Sequence, residues 1–201
     1  MSEQIRQESP LVERVHEERR AASPADAGVT LTERPFVGFL NLRGDSDDTA
    51  FTRAVREVTG LDLPVEPNTF VENDEFGAIW LGPNEWYVTT PVGDELPVLE
   101  KLESALAGQH FAVNDLTSGL TTVRLSGTNA RDLLEKGCTL DLHPRSFGSG
   151  QCAQTLVAKS GALILYRSDE PTFELVIRRS FADYLFVWLE DAAAEYGLAV
   201  G

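Results

Sequence analysis

Two stretches of this chain run through the same order of local signals, and that order restricts the architectures open to it. Leu125 to Phe147 reads LSGTNARDLLEKGCTLDLHPRSF. Ser126 and Gly127 close an apolar alternation in which Leu120, Val123 and Leu125 fall among polar residues. Thr128 or Asn129 can then cap a helix by accepting from its free N–H groups. Leu133 and Leu134 load one face of about two turns, and Gly137 stands where a helix commonly ends on a left-handed residue. Cys138, Leu140 and Leu142 return the exit to the core, and Pro144 forces His143 into an extended conformation. Earlier, Leu40 to Pro64 reads LNLRGDSDDTAFTRAVREVTGLDLP: strand, glycine turn, acidic cap, helix, glycine stop. Its ending, Leu61-Asp62-Leu63-Pro64, mirrors Leu140-Asp141-Leu142-His143-Pro144. A duplicated strand–helix plan is expected.

The remaining elements fit two copies of that plan. Phe36 to Leu42 reads as a buried strand and about Asp48 to Val58 as a helix. Val65 to Glu75 is turn-rich and reads as a loop. Phe76 to Leu81 and Trp86 to Thr90 form strands around Gly82-Pro83. Asp94 to Leu106 gives a helix with Leu96, Leu99, Leu102 and Leu106 on one face, and Phe111 to Leu116 a closing strand. In the second copy, Gln154 to Lys159 and Ala162 to Tyr166 make a hairpin around Ser160-Gly161, followed by a strand at Phe173 to Ile177. Ser180 is the expected cap of a last helix carrying Phe181, Leu185, Trp188, Leu189 and Ala192. The fold class is therefore α+β, with duplicated strand-helix-strand units, antiparallel sheets and helices on one face. Residues 31–118 form the first half and 119–201 the second, the two making one compact unit. Residues 1–30 are polar, with Ile5, Leu11 and Val12 as the few apolar anchors. They read as a flexible tail or as an arm lying on a partner.

Charge and cysteine usage exclude several functions. A net charge of −15 repels nucleic-acid phosphates and anionic membrane surfaces. Cys138 and Cys152 make neither a disulfide framework nor a zinc cluster. With no charged-then-apolar leader and no run of 18 apolar residues read in the sequence, a cytoplasmic protein with reduced thiols is expected.

No catalytic constellation emerges from the residues. His143 lacks partners, since His16 and His110 stand at no metal-ligand spacing, and it reads as a loop-holding histidine. Cys138 lies at a helix end, away from the N-terminus that would activate it. Asp115 and Asp141 read as turn caps. Trp80, Trp86 and Trp188 could stack a flat ligand, but the favoured reading places them in cores or protein interfaces, where tryptophan is enriched. Ser118-Gly119 and Ser126-Gly127 lack the hydrolase elbow, and neither nucleotide-binding glycine fingerprint is present.

The segments WLGPNEW (80–86), Asp115-Leu116-Thr117-Ser118 with Thr121, the 125–147 stretch, and RRSFADYLFVWLEDA near the carboxyl terminus together resemble the gamma subunit of heterotetrameric sarcosine oxidase. The likeness spans roughly residues 35 to 196, and LLEKGCTLDLHPR-F with SFADYL-x-x-WL is its most specific part. It implies a fold similar to the folate-binding domains of aminomethyltransferases and tRNA-modification GTPases. It also implies a non-catalytic subunit in a complex that demethylates sarcosine oxidatively. The products are glycine, hydrogen peroxide, and formaldehyde or 5,10-methylenetetrahydrofolate. FAD, FMN, NAD, zinc and tetrahydrofolate are expected on the alpha, beta and delta subunits, with none on this chain. Alpha is the expected chief partner, with Trp80, Trp86, His143 and Arg145 as candidate contacts. The alternatives are a stand-alone folate-binding protein of the aminomethyltransferase type, for which Asp115 with Trp80 or Trp86 is the candidate set, and a free-standing adaptor.

Overall fold

A computed structural model describes residues 7–24, 26–168 and 170–201. Two mainly antiparallel sheets carry the chain. The first contains β2 (Gly38–Arg43), β3 (Phe70–Glu72), β4 (Gly77–Gly82), β5 (Glu85–Thr90) and β6 (Ala112–Asp115), in the order β3-β4-β5-β2-β6. The second contains β1 (Val29–Arg34), β7 (Leu120–Ser126), β8 (Cys152–Val157), β9 (Ser160–Ser168), β10 (Thr172–Arg178) and β11 (Leu198–Val200). Its order is β11-β1-β7-β10-β9-β8. Read from the opposite edge, the second sheet repeats the first, with β1 inserted between β7 and β11. Because β11 runs parallel to β1 and β1 antiparallel to β7, even the strand directions match those of β6 and β2. The duplication expected from the paired Leu-Asp-Leu endings is thus a repeated topology.

The insertion moves a boundary. β1 lies before the expected first half is complete, yet it pairs in the second sheet. Its Val-Thr-Leu-Thr alternation buries Val29 and Leu31 beside Val123 and Leu125. Pro35 and Phe36 then turn the chain across to the first sheet. Phe36 sits in that turn with φ 62°, so the strand begins at Gly38 and not at Phe36.

Period-2 patterning divides each sheet into two faces. Leu40, Leu42, Trp86 and Val88 face the helices α2 (Thr49–Thr59) and α3 (Glu95–Ala105), while Phe39, Ile79 and Tyr87 face the other sheet. In the second sheet Ile164, Phe173, Leu175 and Ile177 face α4 (Ala130–Glu135) and α5 (Ala182–Ala193), while Leu163, Leu165 and Val176 face back. The layers therefore run helices, sheet, sheet, helices. At the sheet edges Thr69 pairs antiparallel with Gln151, and Phe70 N donates to Gly150 O.

Helix ends follow their chemistry with two corrections, and the buried face of one helix is a third. α2 starts on Asp48, whose carboxylate accepts from Ala50 N at 2.8 Å, and ends on left-handed Gly60. For α4, neither Thr128 nor Asn129 caps through its side chain; Asn129 N instead donates to Gly28 O. Ser180 makes no cap either, because a 3-10 turn at Arg179–Phe181 displaces the start of α5 to Ala182. On α3 the buried face is Val98, Leu102 and the following Leu106, leaving Leu96 57% exposed.

The amino-terminal segment is held by the chain itself. Leu11 is fully buried in the core of the second sheet. Ser9 Oγ donates to Glu33, Arg14 pairs with Asp183, and Arg19 pairs with Glu190. A short helix, α1 (Glu17–Ala21), follows. Leu11 and half-buried Val15, together with these polar contacts, seat a segment that could not fold alone. Ile5 lies outside the described residues.

Candidate functional site

The space between the sheets is filled at its centre by Phe39, Ile79, Cys152, Leu163, Leu165 and Val176. It opens into a cleft on either side. One cleft, of about 230 Å³, is polar and centres on Glu174. That residue sits between Phe173 and Leu175 on β10, so strand alternation aims it away from the helix-side core and toward the other sheet. It is only 2% exposed. Arg34 from β1 reaches its Oε1 at 2.6 Å, Arg124 from β7 the same oxygen at 2.9 Å, and Arg167 from β9 its Oε2 at 2.6 Å. Arg167 also pairs with Glu72 of the first sheet and stacks on Phe70, its guanidinium carbon 4.9 Å from the ring centre. Burial alone would raise the Glu174 pKa. The charges of Arg167 and Arg34, with hydrogen bonds from Arg34 and Arg124, outweigh it and hold the carboxyl below its usual value. The arrangement is an ion-pair lock joining five strands and both sheets.

The other cleft, of about 500 Å³, has a mixed lining in which apolar surface is the larger part. Leu81 and Tyr87 line it from the first sheet, Leu163 and Val176 from the second, and Leu116 and Leu120 from the crossing between halves. Gln154 Nε2 spans the sheets to Leu81 O at 2.9 Å. Arg178 stands on this wall. Burial raises the Tyr87 phenol above its ordinary pKa, aided by Glu85 and opposed by Arg178.

The residues singled out from sequence fall elsewhere. Trp86 is fully buried, and its indole N–H donates to Pro64 O at 2.8 Å. It therefore cannot contact a partner. Its task is to fasten the Leu-Asp-Leu-Pro ending to the first core, where Leu61 and Leu63 are also buried. Trp80 is half-buried against the same core. His143 and Arg145 are exposed; His143 Nδ1 accepts from Arg145 N, and His143 N donates to Asp141 Oδ1 at 3.0 Å. The Ser146 hydroxyl and the His143 N–H together hold the Asp141 carboxyl below its usual pKa. Asp115 accepts from Thr117 N at 2.8 Å. Both aspartates are turn caps, as their sequence setting implied.

Other candidate chemistry is likewise inert. The Cys152 thiol is buried between the sheets, donates toward Thr69 O and Trp80 O, and is pushed by burial up to about 12. Among the described residues no group of three His, Cys, Asp or Glu is placed to hold a metal. No helix among them is long and apolar enough to cross a membrane. The arginine cluster went unnoticed in the sequence, although charged residues alternating with Val and Leu in TTVRL and FELVI marked strands whose second face is buried yet polar.

Comparison with known proteins gives this architecture a context. A model of the family described as "Sarcosine oxidase, gamma subunit family" matches residues 43–195. The sarcosine oxidase gamma subunit of Corynebacterium sp. (strain U-96) is 33% identical over 176 residues, covering 87% of this chain and 83% of the relative. That of an Arthrobacter species is 32% identical over 183 residues, covering 89% and 87%. Among solved structures, a chain of the heterotetrameric sarcosine oxidase from Corynebacterium sp. U-96 aligns with a TM-score of 0.84 at 29% identity, covering 94% of this chain and 96% of that one. The glycine cleavage system aminomethyltransferase T from Bartonella henselae aligns with a TM-score of 0.64 at 14% identity, over 87% of this chain and 48% of that one, which shows a shared fold. With the family match spanning most of the chain, and the relatives aligned along nearly their whole length, this protein belongs to the sarcosine oxidase gamma subunit family.

Proposed function

We propose that this chain is the non-catalytic gamma subunit of a cytoplasmic heterotetrameric sarcosine oxidase. It supports oxidative demethylation of sarcosine to glycine and hydrogen peroxide, with formaldehyde or 5,10-methylenetetrahydrofolate as the one-carbon product. The carrying observation is the near-complete alignment with a chain of a heterotetrameric sarcosine oxidase. The geometry agrees with a supporting role. The buried Glu174 carboxylate is engaged in an ion-pair network that reaches both sheets, and the Cys152 thiol is sealed between them. FAD, FMN, NAD, zinc and tetrahydrofolate are assigned to the alpha, beta and delta subunits, and alpha is the principal partner. Trp80, His143 and Arg145 retain surface that a partner can reach.

A stand-alone folate protein is the weaker reading. Its candidate set was Asp115 with Trp80 or Trp86. Trp86 is enclosed in the first core and Asp115 is engaged by its own turn, so these side chains do not assemble a folate grip. Fold likeness to an aminomethyltransferase does not by itself transfer its chemistry.

The test is to tag this chain, express it with the other sarcosine oxidase subunits, and record subunit pattern, flavin absorbance and sarcosine-dependent peroxide release. A yellow four-chain complex that oxidises sarcosine is expected. A colourless lone chain that binds tetrahydrofolate would contradict the assignment.

A further inference from the structure

The larger cleft does not end at the sheets. Leu120 and Gly119 line both it and neighbouring depressions, and Arg178 and Arg179 carry it past Ser180 to Pro10 on the amino-terminal arm. The result is a trough open along its length. A Cβ placed on Gly119 or Gly161 in its walls would meet nothing within 4 Å, so there is free space beside bare backbone on both sides. Phe181 lines it and is 43% exposed. Apolar side chains left uncovered along a groove mark a binding surface better than scattered ones do.

Charge decides what the groove accepts. The chain carries 32 Asp and Glu against 17 Lys and Arg, yet no carboxylate lines the groove from Leu81 to Ser180, and Glu8 lines only the adjoining depression beside Arg179. The groove's own ionic groups are Arg178 and Arg179. Neither makes an ion pair among the described residues, and the one hydrogen bond of the Arg179 side chain goes to the Glu8 carbonyl. A basic occupant is repelled. A wholly apolar one would desolvate two guanidinium groups with no compensating charge, which is costly. An extended chain with apolar anchors for the cleft and carboxylates for the two arginines satisfies both conditions.

We propose that this groove receives an acidic, apolar-anchored segment of a partner subunit. The apolar anchors seat between Leu81, Tyr87, Leu163 and Val176, and the carboxylates meet Arg178 and Arg179. The inference rests on the subunit reading above and adds where on this chain the partner docks.

The experiment uses the full tagged chain co-expressed with the other sarcosine oxidase subunits. R178E/R179E should lower capture of partner subunits about tenfold or more at physiological salt, while keeping wild-type circular dichroism and Tm. K101E, on the exposed face of α3, should leave capture unchanged. A photo-reactive benzoylphenylalanine in place of Phe181 should cross-link to a partner segment rich in Asp or Glu beside apolar residues. Undiminished capture by R178E/R179E, or a cross-link to a basic or neutral segment or to a second copy of this chain, overturns the groove assignment alone. A wild-type chain that captures no subunit overturns the subunit reading and the groove with it.

Discussion

The indole of Trp188 occupies the space that a side chain on Gly137 would need: a Cβ there would lie 2.5 Å from Cη2, and closer still to Cζ2. Gly137 is therefore glycine for close approach. Its φ is not positive, unlike that of Gly60 at the equivalent helix end. Gly137→Ala should destabilise the chain by ~1–3 kcal/mol through overpacking against a rigid ring. The check is a urea titration monitored by tryptophan fluorescence. Gly137→Ala combined with Trp188→Leu should recover part of the loss, since the two residues are coupled.

Glu174 makes stability pH-dependent in a definite direction. Its folded pKa lies below the ordinary value of 4.5, so the lock is fully formed above that value. It is lost as pH falls through the lowered folded value, where the carboxyl protonates, Arg34 and Arg124 lose their counter-charge and Arg167 keeps only Glu72. E174Q should cost about 2–4 kcal/mol at neutral pH and flatten the acid limb of the stability profile. Tm measured from neutral pH down to the acid limb, for both proteins, checks the slope and its sign.

Cys152 should be silent toward thiol reagents in the folded chain. With a pKa of about 12, its thiolate fraction near pH 8 is roughly one part in 10⁴, and the sheets cover it. Labelling with a maleimide, followed by peptide mapping, should modify Cys152 only after denaturation.

The amino-terminal arm should contribute to stability in the isolated chain. Leu11→Ala removes a fully buried side chain and should cost about 2–4 kcal/mol. Hydrogen exchange should then rise across residues 9–22, because Leu11 is the buried peg among the side chains that seat them.

Much of this fold is written locally. The Asp48 cap, the Gly60 stop, the alternation in β5 and the apolar runs of β4, β9 and β10 act within a few residues, and sequence reading finds them. β1 was hidden for another reason. Its Val-Thr-Leu-Thr pattern is as regular as any strand here, but it follows a polar arm and pairs with residues nearly a hundred positions away. The same distance concealed the site. Arg34, Arg124, Arg167 and Glu174 are scattered in sequence, and only the insertion of β1 beside β7 brings the first to the others. Trp80 and Trp86 drew attention as a pair around a tight turn, yet strand pairing sets them opposite each other on the helix-side face, where both serve the core. Nothing local in the sequence marks Arg178 and Arg179 as making no ion pair among the described residues, which only the placement of the acidic side chains in the fold shows.

The central claim is tested most directly by sedimentation of the co-expressed complex, with absorbance followed at protein and flavin wavelengths. This account predicts that the 22.1 kDa chain travels in a four-chain, flavin-bearing particle that oxidises sarcosine, and that peptide maps place no flavin on this chain. A sarcosine oxidase that assembles fully and turns over without it, while this chain sediments alone, would contradict the account.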